Sequence, residues 1–148
     1  MRYTVYLSGE IHTDWRDQIK AAVAAQGLPI DILTPNTDHA SSDECGSQLL
    51  GDEQTPFWKD HKAAKINSIR HLNAIKRADI VIVRFGDKYK QWNAAFDAGM
   101  AAALGKSLIV EHAPELTHPL KEVDAMALAV AENTTQVINI LEYLTREY

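Results

Sequence analysis

Four consecutive apolar residues, Ile80-Val81-Ile82-Val83, lie between a long segment of helical periodicity and an alanine-rich one. A strand that is apolar on both faces of its pleat has no side to turn to water. Such a strand is expected inside a parallel sheet covered above and below by helices. The rest of the chain repeats this alternation. Tyr3 to Ser8 alternates, is rich in β-formers and closes at Gly9. Trp15 to Gln26 spaces Ile19, Ala22, Val23 and Ala25 as a helix does, and Gly27 and Pro29 stop it. Ile30 to Thr34 reads as a short second strand that Pro35 ends. Trp58 to Arg77 carries Ala64, Ile69, Leu72 and Ile75 on one face, and Lys76 and Arg77 suit the negative end of its dipole. Trp92 to Leu104 reads as a helix closed by Gly105-Lys106, Ser107 to Val110 as a buried strand, and Ala125 to Ala131 as the fifth strand. Asn133-Thr134-Thr135 caps a last helix, Thr135 to Arg146.

Strands alternating with helices five times predict a three-layer α/β fold over residues 1–148, taken as one domain. Its sheet is parallel and five-stranded with helices on both faces, flavodoxin/Rossmann-like, in the order 2-1-3-4-5. Ligands in such sheets sit beyond the carboxyl ends of the strands, so the loops Ser8–Trp15, Pro35–Phe57, Arg84–Gln91, Glu111–Pro119 and Glu132–Thr134 are the places to look. Pro35 to Phe57, with Asn36, Asp38, Ser41, Ser42, Asp43, Gly46, Gly51 and Asp52, is expected to be a long loop anchored by Leu49-Leu50 alone. Loops of that length are usually functional, and a lid over a pocket is the expected use.

Composition narrows the chemistry. Fifteen Lys and Arg against 20 Asp and Glu give a net charge of −5, which argues against polymeric nucleic acid as a partner, because neutralising phosphates needs clustered cations. No apolar run approaches the roughly 20 residues of a membrane span. The opening Met1-Arg2-Tyr3-Thr4-Val5-Tyr6 is not a secretory h-region. A cytoplasmic location without a membrane partner is therefore expected. The single Cys45 excludes an internal disulfide framework and a thiolate-rich zinc site. Histidines 12, 39, 61, 71, 112 and 118 form no i,i+4 pair around a glutamate, and no Walker-type or dinucleotide glycine pattern is present. Neither a metal nor a cofactor is expected.

Two segments can carry chemistry. The first is Ser8-Gly9-Glu10-Ile11-His12-Thr13-Asp14-Trp15-Arg16. Gly9 permits a sharp turn, and Ser8, Thr13 and the amides entering the helix suit a phosphate or sugar hydroxyl, with Arg16 adding charge. The competing reading is a plain βα turn in which Thr13 or Asp14 caps the helix. The second is Trp92-Asn93-Ala94-Ala95-Phe96-Asp97-Ala98-Gly99-Met100-Ala101. Asp97 stands there on a small-residue helix near a strand end, held close to the backbone with room for a ligand. The competing reading puts Asp97 on a solvent face.

The order Tyr6-Leu7-Ser8-Gly9, Arg77-Ala78-Asp79, Ile80-Val81-Ile82-Val83 and Phe96-Asp97-Ala98-Gly99-Met100-Ala101-Ala102-Ala103-Leu104-Gly105-Lys106 resembles the nucleoside 2-deoxyribosyltransferase superfamily. Through Gly9-Glu10-Ile11-His12-Thr13-Asp14-Trp15-Arg16 the chain is most similar to its small YtoQ family. The resemblance implies cleavage of an N-glycosidic bond in a nucleoside or nucleotide, by hydrolysis or deoxyribosyl transfer, through an oxocarbenium-like transition state. Asp97 takes the place of the superfamily's nucleophilic glutamate, keeping the carboxylate and losing one methylene of reach. Tyr6 carries over as the hydroxyl that orients the carboxylate or the sugar. His71 falls near the usual base-protonating aspartate, with Glu10 a second candidate acid. Gln91-Trp92-Asn93-Ala94 replaces the usual Asp-x-Gly-Thr. Arg16 and the Gly9 amide would hold a 5′-hydroxyl or 5′-phosphate, and Trp15 or Trp92 would stack on the base, the competing reading for both tryptophans being core or interface packing. Ser8, His12, Asp14, Gly86 and Asn93 complete the expected substrate contacts. The resemblance also implies a homodimer or higher homo-oligomer, with Asn133 and the carboxyl-terminal stretch as candidate contributions to a neighbour's site. The alternative function is an inactive domain that binds a nucleoside or nucleotide as a sensor or interaction module.

Overall fold

Alternation along β1 (Tyr3–Gly9) sends Val5 and Leu7 to one side of the sheet and Tyr6 and Ser8 to the other. In the computed structural model, which describes residues 1–52, 54–88 and 91–147, these two sides meet different helices. On the first side α1 (Trp15–Gln26) and α6 (Thr134–Thr145) bury Trp15, Ile19, Val137 and Leu141 against Val5, Leu7 and Ile82. On the second side α3 (Pro56–Arg77) and α4 (Trp92–Ala103) bury Ile75, Ala94, Ala98 and Ala101 against Tyr6, Val81 and Val83. Removing each large aliphatic side chain from water contributes about 1.5–3 kcal/mol. With β2 (Ile30–Leu33), β3 (Ile80–Arg84), β4 (Ser107–Glu111) and β5 (Ala129–Ala131), β1 forms one parallel sheet in the order β2-β1-β3-β4-β5. The apolar run of β3 is buried on both faces, as its composition requires.

Sheet order reverses between β1 and β3, and there the two strands are forced together at one residue. Gly9 pairs with Arg84 at φ +110°, and a Cβ on Gly9 would stand 2.1 Å from the Arg84 carbonyl oxygen. Only glycine fits, and the chain leaves the sheet at this point as a loop.

The stretch expected to be a long loop holds a helix, α2 (His39–Leu50), and this corrects the sequence reading. Asp38 caps it by accepting a hydrogen bond from the Ser41 amide. Leu49 and Leu50 are exposed rather than anchoring. The helix docks on α3 through a residue with no side chain: a Cβ on Gly46 would lie 2.6 Å from the Ala63 amide nitrogen. A helix held by close backbone approach leaves little apolar periodicity to find. Gly46→Ala is expected to force the helices apart and cost about 1–3 kcal/mol, read as a lower urea midpoint; an unchanged midpoint would refute the close seam. Residue 53 of this stretch, and residues 89 and 90 of the Gly86–Gln91 loop, lie outside the described residues. The expected fifth strand shortens to Ala129–Ala131, behind the single turn α5 (Lys121–Asp124). Among the described residues no helix is long and apolar enough to cross a membrane.

Candidate functional site

At the reversal of strand order lies a cavity of about 550 Å³, within the span of roughly 300–1,000 Å³ usual for small-molecule sites. The end of β1 and its loop, Ser8 to His12, form one wall. A stripe along α3, Asp60, Ala63, Ala64, Asn67, Ser68 and His71, forms the second at helical spacing. Pro35, Asn36, Thr37 and the start of α2 close the outer side, and Trp92, Asn93, Phe96 and Asp97 of α4 close the last.

Asp97 is at the floor, 5% exposed, and the reading that places it on a solvent face is excluded. The Ser8 hydroxyl donates to its Oδ2 at 2.5 Å, and His71 Nδ1 stands 3.7 Å from the same oxygen. Among the described residues Oδ1 receives no hydrogen bond. Burial raises the Asp97 pKa above the ordinary aspartate value, against the pull of the Ser8 hydrogen bond and the His71 charge. Such a carboxylate is poorly solvated and has one oxygen uncommitted, which are properties of a base or a nucleophile.

Tyr6 lies beneath this floor. It is 1% exposed, it does not line the cavity, and its hydroxyl has no hydrogen-bond partner among the described residues. Burial first, then the Asp97 charge, raises its pKa, so the phenol stays protonated. The contact expected of Tyr6 with the carboxylate is made by Ser8 instead. Tyr6 and His71 rings are 6.5 Å apart between centroids.

Glu10 lines the cavity but spends its charge on the loop. Its carboxylate accepts from the His12 amide at 2.7 Å, from the amide and hydroxyl of Thr13, and from Arg84 Nε at 3.0 Å. Burial pushes its pKa up, yet the Thr13, His12 and Arg84 hydrogen bonds outweigh that and leave it below the ordinary value. It is a fixed anion, unsuited to donating a proton. Arg84 also bonds the buried Glu111, which accepts from Thr134 Oγ1 at 2.8 Å, so the loop is tied to β4 and the start of α6.

Arg16 and Trp15 correct the sequence reading most sharply. The Arg16 guanidinium turns inward and donates to the carbonyls of Leu7 at 3.1 Å, Gly9 at 3.0 Å and Glu10 at 2.5 Å. Burial draws its pKa down to about 10, which still leaves it charged at neutral pH. It lies 4.6 Å from the Trp15 ring centre, and Trp15 Nε1 donates to the Glu10 carbonyl. Both residues brace the exit of β1 on the far side from the cavity, and neither reaches a phosphate or a base. Asp14 occupies the cap position of α1 without a side-chain cap bond and accepts from Gln18 at 2.8 Å, away from the cavity. Gly86 packs against Glu10 and Gln91 rather than lining the space. Asn133 caps α6 by accepting from the Gln136 amide. His12, Trp92 and Asn93 do line the cavity, with the His12 ring 6.2 Å from His39 across the mouth.

Sequence reasoning missed Ser42 and His39 as wall residues because nothing in the pattern marks α2 as a helix, and missed Asn67 because the polar side of α3 reads as a solvent face. The repeat of small or polar residues 60, 63, 64, 67, 68 and 71 on one side of α3 was the available sign. Among the described residues no group of three or more His, Cys, Asp or Glu is arranged for a metal.

Comparison with known proteins bears on this arrangement. The family profile described as nucleoside 2-deoxyribosyltransferase YtoQ matches residues 6–145. The YtoQ protein of Bacillus subtilis strain 168 is 43% identical over 144 residues, covering 97% of each chain. A 2-deoxyribosyltransferase from Bacillus psychrosaccharolyticus superposes with a TM-score of 0.51 at 22% identity, covering 92% of this chain and 90% of that one. The CMP N-glycosidase of Clostridium botulinum gives 0.52 at 14%, covering 95% and 98%. At these identities the two structures are alike in fold.

Proposed function

The chain belongs to the nucleoside 2-deoxyribosyltransferase YtoQ family, and from that premise we propose that it cleaves the N-glycosidic bond of a nucleoside, with Asp97 as nucleophile. The observation that carries this reading is the pair of unlike oxygens on Asp97: Oδ2 is held by Ser8, and Oδ1 is uncommitted at the floor of the cavity. A sugar seated there presents C1′ to Oδ1. The C1′–N bond breaks with its electron pair going to the base, His71 supplies the proton the base needs, and an ester forms between C1′ and Asp97. Water or a second base then displaces the carboxylate, returning it for another cycle. Holding the nucleophile against the backbone of a helix while Ser8 fixes its torsion supplies the positioning such a step requires. Arg16 is committed to backbone carbonyls, which favours a nucleoside over a substrate whose phosphate that residue would hold.

The test is incubation with a panel of deoxynucleosides, ribonucleosides and their 5′-monophosphates, with free base read by chromatography. Base release that disappears in Asp97→Ala supports the enzyme. Micromolar binding without release by the unaltered protein would overturn it in favour of a nucleoside-binding sensor.

A further inference from the structure

The cavity wall above His71 presents a fixed hydrogen-bond acceptor. Asn67 lines the cavity, and its Nδ2 donates to the Ser42 carbonyl and to the Ser42 hydroxyl oxygen, both at 3.1 Å. A backbone carbonyl can only accept, so the nitrogen of the amide must face α2. The group left for a ligand is Oδ1, an acceptor that cannot exchange places with the nitrogen without being set against the Ser42 carbonyl oxygen, a second acceptor. Most asparagines at a binding site can serve as donor or acceptor; this one cannot.

Its height in the cavity is set by the helix. Asn67 and His71 are four residues apart on one stripe of α3, about 6 Å along the axis, with His71 beside Asp97. A sugar with C1′ at Asp97 therefore puts its base at the level of Asn67. Ala63 and Ala64 line the same wall and offer apolar contact to a ring. Ser68 adds no donor there, because its hydroxyl proton goes to the Ala64 carbonyl at 2.8 Å.

We propose that Asn67 reads the base and selects nucleosides whose ring edge carries an exocyclic amine, as in cytosine or adenine, over those with a carbonyl at that place, as in uracil or hypoxanthine. This rests on the cavity being a nucleoside site. An amine donates to Oδ1. A carbonyl oxygen brings two acceptors together and leaves both without a proton, which a desolvated site rejects strongly.

The experiment compares kcat/KM for base release from 2′-deoxycytidine against 2′-deoxyuridine, and from 2′-deoxyadenosine against 2′-deoxyinosine. The amine-bearing member is expected to lead by about tenfold or more in each pair, in line with rejection of mispaired polar groups. Asn67→Ala is expected to bring the two members within about twofold, since no acceptor remains to discriminate. Ser42→Ala keeps the backbone carbonyl that orients the amide, so its preference should survive. Equal rates within both pairs for the unaltered protein overturn the proposal whether or not the variants fold. If no nucleoside is turned over, the glycosidic reading fails, and calorimetric binding of the same four compounds decides this one. Tighter binding of the amines upholds it; equal binding, or none, overturns it.

Discussion

Asp97→Asn is expected to lower base release by about 10⁴-fold or more, the scale on which removing a nucleophile acts, while the melting temperature at pH 7 holds or rises. Both halves come from the same burial. The Asn side chain keeps an oxygen for the Ser8 hydroxyl and fits the same space, so packing around Ala94, Ala98 and Ala101 is undisturbed. It cannot form the ester. The stability half follows from the raised pKa of Asp97, caused first by burial. A group whose native pKa is raised binds its proton more tightly folded than unfolded, so stability falls as pH climbs from the ordinary aspartate value of 3.8 through the native one. Above that window the native protein carries a destabilising buried anion that the Asn variant lacks. Melting curves of both proteins across pH 3–8, beside single-turnover base release, check the prediction. A variant retaining a tenth of the activity would remove Asp97 from the chemistry. A variant that melts lower at pH 7 than at pH 3, relative to the unaltered chain, would reverse the electrostatic account. The same shift places the acid limb of kcat/KM above the range of an ordinary aspartate.

Gly9→Ala is expected to destabilise the fold by about 3 kcal/mol or more, since strain at a positive φ adds to a clash that the core cannot relieve. For a chain of this size that is a fall of around 10 °C in Tm. The obstacle is backbone: the added carbon would meet the oxygen, nitrogen and carbonyl carbon of Arg84 at 2.1, 2.7 and 2.9 Å. Neither strand can yield without breaking the β1–β3 ladder that holds Ser8 opposite Val83. Urea unfolding measures the loss. A change under 1 kcal/mol would show that the strands separate at this point more readily than their register implies. Activity at low temperature is a second reading, because displacing β1 carries Ser8 away from Asp97.

The sheet was legible because its strands leave strong marks: alternation in β1, an unbroken apolar run in β3, and turn residues between. The helix α2 left almost none. Its docking contact is Gly46, whose contribution is an absence of atoms, and its largest apolar residues, Leu49 and Leu50, are exposed at its end. The site was legible in part. Asp97 stood out by its setting among alanines, but its hydrogen bond to Ser8 joins residues 89 positions apart, which local pattern cannot disclose. Arg16 was misread for a different reason. An arginine at the opening of a helix beside a glycine turn suits an anion, and it suits equally the carbonyls that a strand leaves unpaired on its way out of the sheet. Leu7, Gly9 and Glu10 supplied the second kind of partner. Direction of a side chain decides between the two, and sequence does not encode it locally.

The stripe on α3 ties together two properties that are often independent in a binding protein. One row of side chains both seats the neighbouring helix and carries the imidazole beside Asp97. Turning α3 about its axis would shift reactivity and admission at once, so variants seeking a new ligand should succeed by altering α2 and Asn67 while leaving the helix beneath them unrotated. Ligand range can then be retuned from outside, with the chemistry below inherited intact.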